Sequence, residues 1–333
     1  MAQIENITVL GSGSFGTALA NVLADNGHNV LLWGRDRGVI AAINGEHFNP
    51  KYLKGTPLNS NIKATAELSL AFTHSDTLIC AIPAQKIRSV LTQHQAELPT
   101  KTIINTAKGI EVGTQLLVSE IFAQLSPKSP YAILSGPSFA AEVAQRLPTA
   151  ITAASQTTGL AEKVQALFNN RYFRVYAGHD VRGVELAGSL KNVIAIGSGV
   201  VTGLKLGYNA QAAIINRGVA EMARLAQKMK ADPMTFLGLA GMGDLVLTCT
   251  GPLSRNRTVG VLLGEGKPLA DIEKQLGGVA EGVYTAESAY VLSQQLGVEM
   301  PITEQTYKIL YQGQKCSKAL EELMARDPKS EWA

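Results

Sequence analysis

The sequence predicts an α/β chain: an N-terminal doubly wound, mostly parallel sheet followed by a C-terminal all-helical domain. Three observations predict it. Short, β-prone apolar runs alternate with helical segments through the first half. A glycine-rich turn, Gly11-Ser12-Gly13-Ser14-Phe15-Gly16, joins the first run to the first helix. Beyond about Val184 strand-like runs disappear and apolar helical stripes take over. A length of 333 residues suits two domains of roughly 150 residues each.

Residues 4–10 read as a strand because Ile7, Val9 and Leu10 are apolar and glycine follows at once. Residues 17–26 read as a helix, with Ala18, Leu19, Val22 and Leu23 at helical spacing and Gly27 as the stop. Residues 29–33 give a second strand bounded by Gly34, which completes a βαβ unit. Further strands are expected at 77–82, 102–105, 131–134, 150–153 and 173–176, each ending at small or breaker residues. Helices at 87–95 and 116–125 lie between them. In the second half, helices are expected at 185–204, 211–230, 285–296 and 303–310. The second of these carries an apolar stripe of Ile214, Ile215, Val219, Met222, Ala223 and Leu225. The two parts join near 178–188.

Glycine is frequent (32 residues) and charged residues are sparse at 17%, against a usual ~25%, as in a compact chain with tight loops. Thirty basic and 27 acidic residues leave a net charge of +3 with no basic block, which argues against a nucleic-acid surface and allows local anion sites. Cys80, Cys249 and Cys316 are scattered, so neither a disulfide framework nor a CxxC metal site is expected. Residues 1–6 lack a basic start and an apolar run, so no signal peptide is expected. The longest apolar stretch, 193–204, is broken by Gly197, Ser198, Gly199 and Gly203 and is too short to span a bilayer. A reduced, cytoplasmic protein without membrane insertion fits.

The glycine-rich turn matches G-x-G-x-x-G and sits between strand and helix, the context that gives the pattern meaning. Gly11 permits the tight turn, Gly13 lets backbone approach a pyrophosphate, and Gly16 lets helix pack on strand. The helix start supplies N–H groups and partial positive charge. Residues 1–184 are therefore expected to be a Rossmann-type dinucleotide-binding domain, and 185–333 a helical substrate-binding and catalytic domain. The second strand ends Leu32-Trp33-Gly34-Arg35-Asp36. The acid usual for the ribose of NAD is missing from its expected place, and Arg35 suits a 2′-phosphate. NADP(H) is favoured, while Asp36 keeps NAD(H) open.

Candidate chemistry gathers at strand ends and in one helix. Ile82-Pro83-Ala84, Ala107-Lys108-Gly109 and Ser135-Gly136-Pro137-Ser138-Phe139-Ala140 follow predicted strands, where ligands bind in open α/β sheets. Lys191 and Asn192 interrupt an apolar helix. A buried lysine there would have a depressed pKa and exchange protons near neutrality, whereas a snorkelling one would do nothing. Asp244 sits in a glycine-rich apolar turn, as a substrate group or a helix cap. Ser254-Arg255-Asn256-Arg257 reads as an anion-binding cluster or a solvated loop.

Taken in order and spacing, these segments resemble the bacterial NAD(P)-dependent glycerol-3-phosphate dehydrogenases from Val9 to about Leu310. The resemblance rests on residues 11–18, 33–35, Thr106-Lys108-Gly109, 135–140, 188–192, Gly241-Gly243-Asp244-Leu245 and 254–256. It implies reversible reduction of dihydroxyacetone phosphate to sn-glycerol 3-phosphate for phospholipid synthesis. It implies Lys191 as the proton donor or acceptor at the C2 oxygen. Lys108, Gly136, Ser138, Lys191, Asp244, Ser254, Arg255 and Asn256 would line the substrate. Gly11, Gly13, Ser14, Phe15, Gly16, Arg35, Lys108, Ala140, Arg255, Val279 and Glu281 would bind the cofactor. Two close lysines would lower each other's pKa, with Asp244 balancing Lys191. No metal is expected, because no ligand spacing is present. Competing readings are a related dehydrogenase of another hydroxy acid or alcohol, and a non-catalytic dinucleotide sensor. The apolar faces of the C-terminal helices also allow a homodimer.

Overall fold

The computed structural model describes residues 4–99, 101–328 and 330. Residues 1–3, part of the segment read as lacking a signal peptide, lie outside the described residues. The first part of the chain contributes β1 (Asn6–Leu10), β2 (Asn29–Trp33), β3 (Phe48–Asn49), β4 (Leu53–Pro57) and β5 (Ile62–Thr65). It continues with β6 (Thr77–Cys80), β7 (Thr102–Asn105), β8 (Tyr131–Ser135), β9 (Thr149–Ser155) and β10 (Phe173–Gly178). Between them lie α1 (Ser14–Asp25), α2 (Arg37–Glu46), α3 (Leu68–His74), α4 (Ala84–Leu91), α5 (Val118–Leu125), α6 (Ala140–Ala144) and α7 (Leu160–Phe168).

Eight strands form one sheet in the order β10-β9-β8-β7-β6-β1-β2-β5. Winding reverses between β1 and β6, the switch point at which doubly wound sheets bind ligands. The register brings Leu10 level with both Trp33 and Cys80, so the carboxyl ends of β1, β2 and β6 open on one crevice. Two apolar layers hold the sheet. Ile7, Val9, Leu19, Val22 and Leu23 pack on one side, and Leu78, Cys80, Ile87, Ile103 and Phe122 on the other.

Some elements depart from the sequence reading. β9 runs antiparallel to β8, with Leu134 opposite Ala153, because the chain turns back through short α6 instead of crossing over. Strand β5 and the β3–β4 hairpin were not expected. β5 is an edge strand whose pattern of burial alternates, and only Ile62 and Ala64 mark it as apolar. The helix expected at 87–95 begins at Ala84 and gives way to a tighter 3₁₀ turn after Leu91.

The helical half comprises α8 (Val181–Gly203), α9 (Gly207–Lys228), α10 (Asp244–Thr250) and α11 (Arg255–Gly264). It ends with α12 (Leu269–Leu276), α13 (Glu281–Leu296), α14 (Pro301–Tyr311) and α15 (Cys316–Met324). α8 starts inside the expected junction and is capped by Asp180, which accepts the N–H of Gly183. By length and composition α8 could cross a membrane, but its apolar window is wholly buried, so it is a core helix. Glycines set its closest contact. A Cβ on Gly199 would lie 2.2 Å from the Arg257 carbonyl oxygen, and one on Gly260 would lie 1.9 Å from that of Ile196. Gly203 and Gly264 repeat the approach one turn further on. α8 and α11 therefore pack backbone against backbone, which brings residues 254–256 beside Asn192.

Candidate active site

The glycine-rich turn has the geometry a dinucleotide needs. Gly11 adopts φ +124°, and a Cβ there would lie 2.6 Å from the Ala81 carbonyl oxygen. A Cβ on Gly16 would lie 2.0 Å from the Gly11 carbonyl oxygen. Gly13 is the N-cap of α1, no side chain caps that helix, and the space beside it is open. The first-turn N–H groups are thus left for an anion, which fits a pyrophosphate. Ser14 Oγ donates to the Tyr52 carbonyl (3.1 Å), and Phe15 and Ala140 pack on the sheet core beside the turn.

At the end of β2, Arg35 is exposed. Asp36 is turned to its own helix: Oδ1 accepts the N–H groups of Gly38 and Val39 at 3.1 and 3.2 Å. Its Oδ2 accepts from Lys51 Nζ at 3.1 Å. The hydrogen bond from Lys51, with those from the α2 backbone, holds this carboxyl below the usual carboxylate range.

A second cluster lies where the helical half meets the strand ends. Lys191 is buried, as is every other residue of α8 except Arg182 near its start and Thr202 and Gly203 at its end. Its Nζ donates to Asp244 Oδ1 at 2.5 Å and to Thr248 Oγ1 at 2.8 Å. Lys108 Nζ donates to the other oxygen of the same carboxylate at 2.6 Å and to the Gly136 carbonyl at 3.3 Å. One carboxylate therefore bridges two lysines from opposite halves of the chain. Burial pulls Lys191 down to about 8, against the attraction of Asp244 and with the repulsion of Lys108. Burial raises Asp244, but the two lysines outweigh it and hold the group below its ordinary value.

Local structure explains the placement. Asn105 clasps the turn after β7 by bonding both the N–H and the carbonyl of Ala107, which aims Lys108 off the strand end. Gly188, one turn before Lys191, leaves room for the Lys108 stem: a Cβ there would lie 3.4 Å from Lys108 Cγ. Asp244 opens α10 directly after a wide helical turn at Leu239–Gly243. Thr248 follows one turn later and donates its own proton to the Asp244 carbonyl (2.6 Å), so its oxygen can only accept from Lys191. Thr248 was not singled out from the sequence. Its signal is the spacing of four from Asp244, which becomes visible only once residues 244–250 are known to be helical.

The remaining sequence-predicted residues fall into three groups. Ser138 Oγ donates to the Gly136 carbonyl at 2.9 Å, so Gly136 and Ser138 adjoin Lys108. Arg255 is exposed and donates to the Gly278 carbonyl at 2.9 Å, which puts it beside Val279 and Glu281. Glu281 has a buried oxygen without a partner, and burial pushes the group up to about 7 against the pull of Arg255. Ser254 and Asn256 already have protein partners. Ser254 caps α11 by accepting from the Arg257 N–H. Asn256 donates to Asn192 Oδ1 and accepts from the Gly282 N–H, both at 2.9 Å, tying α8, α11 and α13 together. Among the described residues no three His, Cys, Asp or Glu side chains form a metal-binding group.

A doubly wound dinucleotide-binding sheet joined to a helical half defines a nicotinamide-dependent oxidoreductase. Comparison with known proteins narrows this class. Residues 6–161 match the family described as NAD-dependent glycerol-3-phosphate dehydrogenase N-terminus, and residues 180–321 match its C-terminus. A glycerol-3-phosphate dehydrogenase [NAD(P)+] of Geobacter metallireducens is 50% identical over 331 residues, covering 98% of this chain and 99% of its own. The crystal structure of glycerol-3-phosphate dehydrogenase from Coxiella burnetii is 38% identical, with a TM-score of 0.93 over 97% of this chain and 99% of its own. A solved structure of glycerol-3-phosphate dehydrogenase from Saccharomyces cerevisiae is 30% identical, with a TM-score of 0.83 over 96% of this chain and 99% of its own. The chain belongs to the NAD(P)-dependent glycerol-3-phosphate dehydrogenase family.

Proposed function

We propose that this chain catalyses the reversible NAD(P)H-dependent reduction of dihydroxyacetone phosphate to sn-glycerol 3-phosphate, with Lys191 as general acid and base. The observation that carries the assignment is the buried Lys191–Asp244–Lys108 bridge, which joins the segment after β7 to the helical half. When bound to the glycine-rich turn, a reduced nicotinamide supplies the hydride to C2 of the ketone. Negative charge then grows on the C2 oxygen.

An ammonium has three N–H groups. On Lys191, Asp244 and Thr248 accept two of them, which leaves the third for the substrate oxygen. A group held at about 8 donates its proton readily near neutral pH and stays largely charged beforehand. Lys108 adds a second positive charge toward the same oxygen. In the oxidation direction the neutral Lys191 amine takes the hydroxyl proton. Gly136, Ser138 and the first turn of α11, with Ser254, Arg255 and Asn256, hold the rest of the substrate, including its phosphate. Binding that non-reacting group orients the reacting carbon. Arg35 reads a 2′-phosphate, and Arg255, Val279 and Glu281 complete the cofactor site from the helical half. The domain division follows the same reading: residues 1–184 for the cofactor and 185–333 for the substrate and Lys191.

The product supplies phospholipid synthesis in the cytoplasm, and the exposed Leu206 and Tyr208 at the start of α9 offer apolar area to a second copy. Light scattering on the purified protein tests the dimer. Initial rates of NADPH and NADH oxidation, with dihydroxyacetone phosphate compared with ketopantoate, test the activity. Turnover with dihydroxyacetone phosphate is expected. Turnover with ketopantoate alone would favour a related dehydrogenase, and cofactor binding without turnover a sensor.

A further inference from the structure

The β3–β4 hairpin is fastened to the nucleotide turn. Asn49 is fully buried, and its Nδ2 donates to the Ser12 carbonyl at 3.0 Å and to Thr17 Oγ1 at 2.9 Å. Its Oδ1 accepts the N–H groups of Lys51 and Tyr52 at 3.2 and 3.1 Å, and Ser14 Oγ bonds the Tyr52 carbonyl. One side chain thus grips the glycine-rich loop with its amide nitrogen and shapes the hairpin turn with its oxygen. The result is a cation at a defined place. Lys51 Nζ sits 3.1 Å from Asp36 Oδ2, next in sequence to Arg35 and at the end of β2. In doubly wound dinucleotide folds that strand end faces the adenosine ribose.

We propose that Lys51 is a second reader of the cofactor 2′-phosphate, acting with Arg35 and held in place by Asn49. The proposal rests on the reading of this strand end as an NADP(H) site. Asp36 uses one oxygen to cap α2, so a single carboxylate oxygen faces the lysine. The pair is exposed, at 55% and 40% for the two side chains, and such pairs contribute little. A 2′-phosphate carries nearly two negative charges and three acceptor oxygens, and it outcompetes that one oxygen for the ammonium. A 2′-hydroxyl has no charge with which to do so. Lys51 therefore stays on Asp36 with NAD(H) and transfers to the phosphate with NADP(H). Asp36, far from serving NAD(H), acts as the resting partner of a cation that favours NADP(H).

Calorimetric titration of the intact protein with 2′,5′-ADP and 5′-ADP tests this without turnover. Wild type is expected to bind 2′,5′-ADP more tightly. Lys51→Met keeps the aliphatic stem and is expected to weaken 2′,5′-ADP by roughly tenfold, the low end for a charged hydrogen bond, while 5′-ADP changes by less than about twofold. Asp36→Asn can still cap α2 and is expected to tighten 2′,5′-ADP by freeing Lys51. Unchanged 2′,5′-ADP affinity in Lys51→Met, with wild-type preference intact, would overturn the proposal alone. Equal affinity of wild type for the two nucleotides would remove the NADP(H) reading and the proposal with it.

Discussion

Replacing Asp244 by asparagine keeps the side-chain shape and deletes the charge between two lysines. Asp244 Oδ1 lies 2.5 Å from Lys191 Nζ, and Oδ2 lies 2.6 Å from Lys108 Nζ. Burial drives Lys191 down, Asp244 resists, and the balance stands at about 8. An opposite charge in contact is worth roughly 1–3 pK units. Without it Lys191 falls to roughly 5–7, because burial and Lys108 both push the same way. Each unit corresponds to about 1.4 kcal/mol between the two protonation states. At pH ~7.5 the ammonium fraction then drops from about three-quarters to a quarter or less. Reduction needs the ammonium, so its rate falls at least about threefold at that pH and recovers as pH is lowered. The assay is kcat for NADPH oxidation by dihydroxyacetone phosphate from pH ~5 to ~9.5, with thermal melts to confirm folding. The alkaline limb is expected to move from near 8 into the lower range. A limb that stays in place while activity falls equally at every pH would refute the electrostatic role of Asp244.

Arg35→Ala is expected to weaken NADPH by about 1.5–3 kcal/mol and NADH by much less, measured as dissociation constants; equal losses would contradict a 2′-phosphate contact. Gly260→Ala places a methyl 1.9 Å from the Ile196 carbonyl oxygen and is expected to cost about 1–3 kcal/mol in urea unfolding. An unchanged midpoint would contradict the backbone-to-backbone packing of α8 on α11. Glu185 accepts from the Ser119 N–H and hydroxyl and from Tyr131, yet burial pushes it up to about 7. Its folded pKa lies above the unfolded 4.5, so its contribution is full below 4.5 and lost as pH rises through about 7. Glu185→Gln is expected to flatten the fall in Tm across that window; an identical slope would show that Glu185 does not titrate there.

What the sequence revealed depends on how local each requirement is. The glycine-rich turn was legible because a tight turn and a close helix approach impose steric demands on consecutive residues, and Gly11 and Gly16 meet them. Lys191 was legible as an anomaly in an apolar helix, but its two readings were equal on the residues alone; the family resemblance chose between them, and the burial of α8 supplies the physical ground. The link between Lys108 and Asp244 spans 136 residues, and no local pattern encodes it. The reading of Asp36 stayed open because its partner Lys51 arrives on a hairpin with few apolar residues. The close approach of α11 to α8 escaped notice because it is made by Gly260 and Gly264, while the buried Val259 and Leu262 of α11 fall in too short a run to mark the helix. For the same reason the partners of Asn256, which are Asn192 and Gly282, could not be foreseen.

The central claim is that Lys191 moves the proton, and chemical rescue tests it most directly. The measurement is kcat for Lys191→Ala with and without small primary amines, with NADPH affinity followed in parallel. The variant is expected to bind NADPH as wild type does, to lose roughly 10²–10⁴ in kcat, and to regain part of it with added amine. Turnover near the wild-type rate without amine would contradict the account.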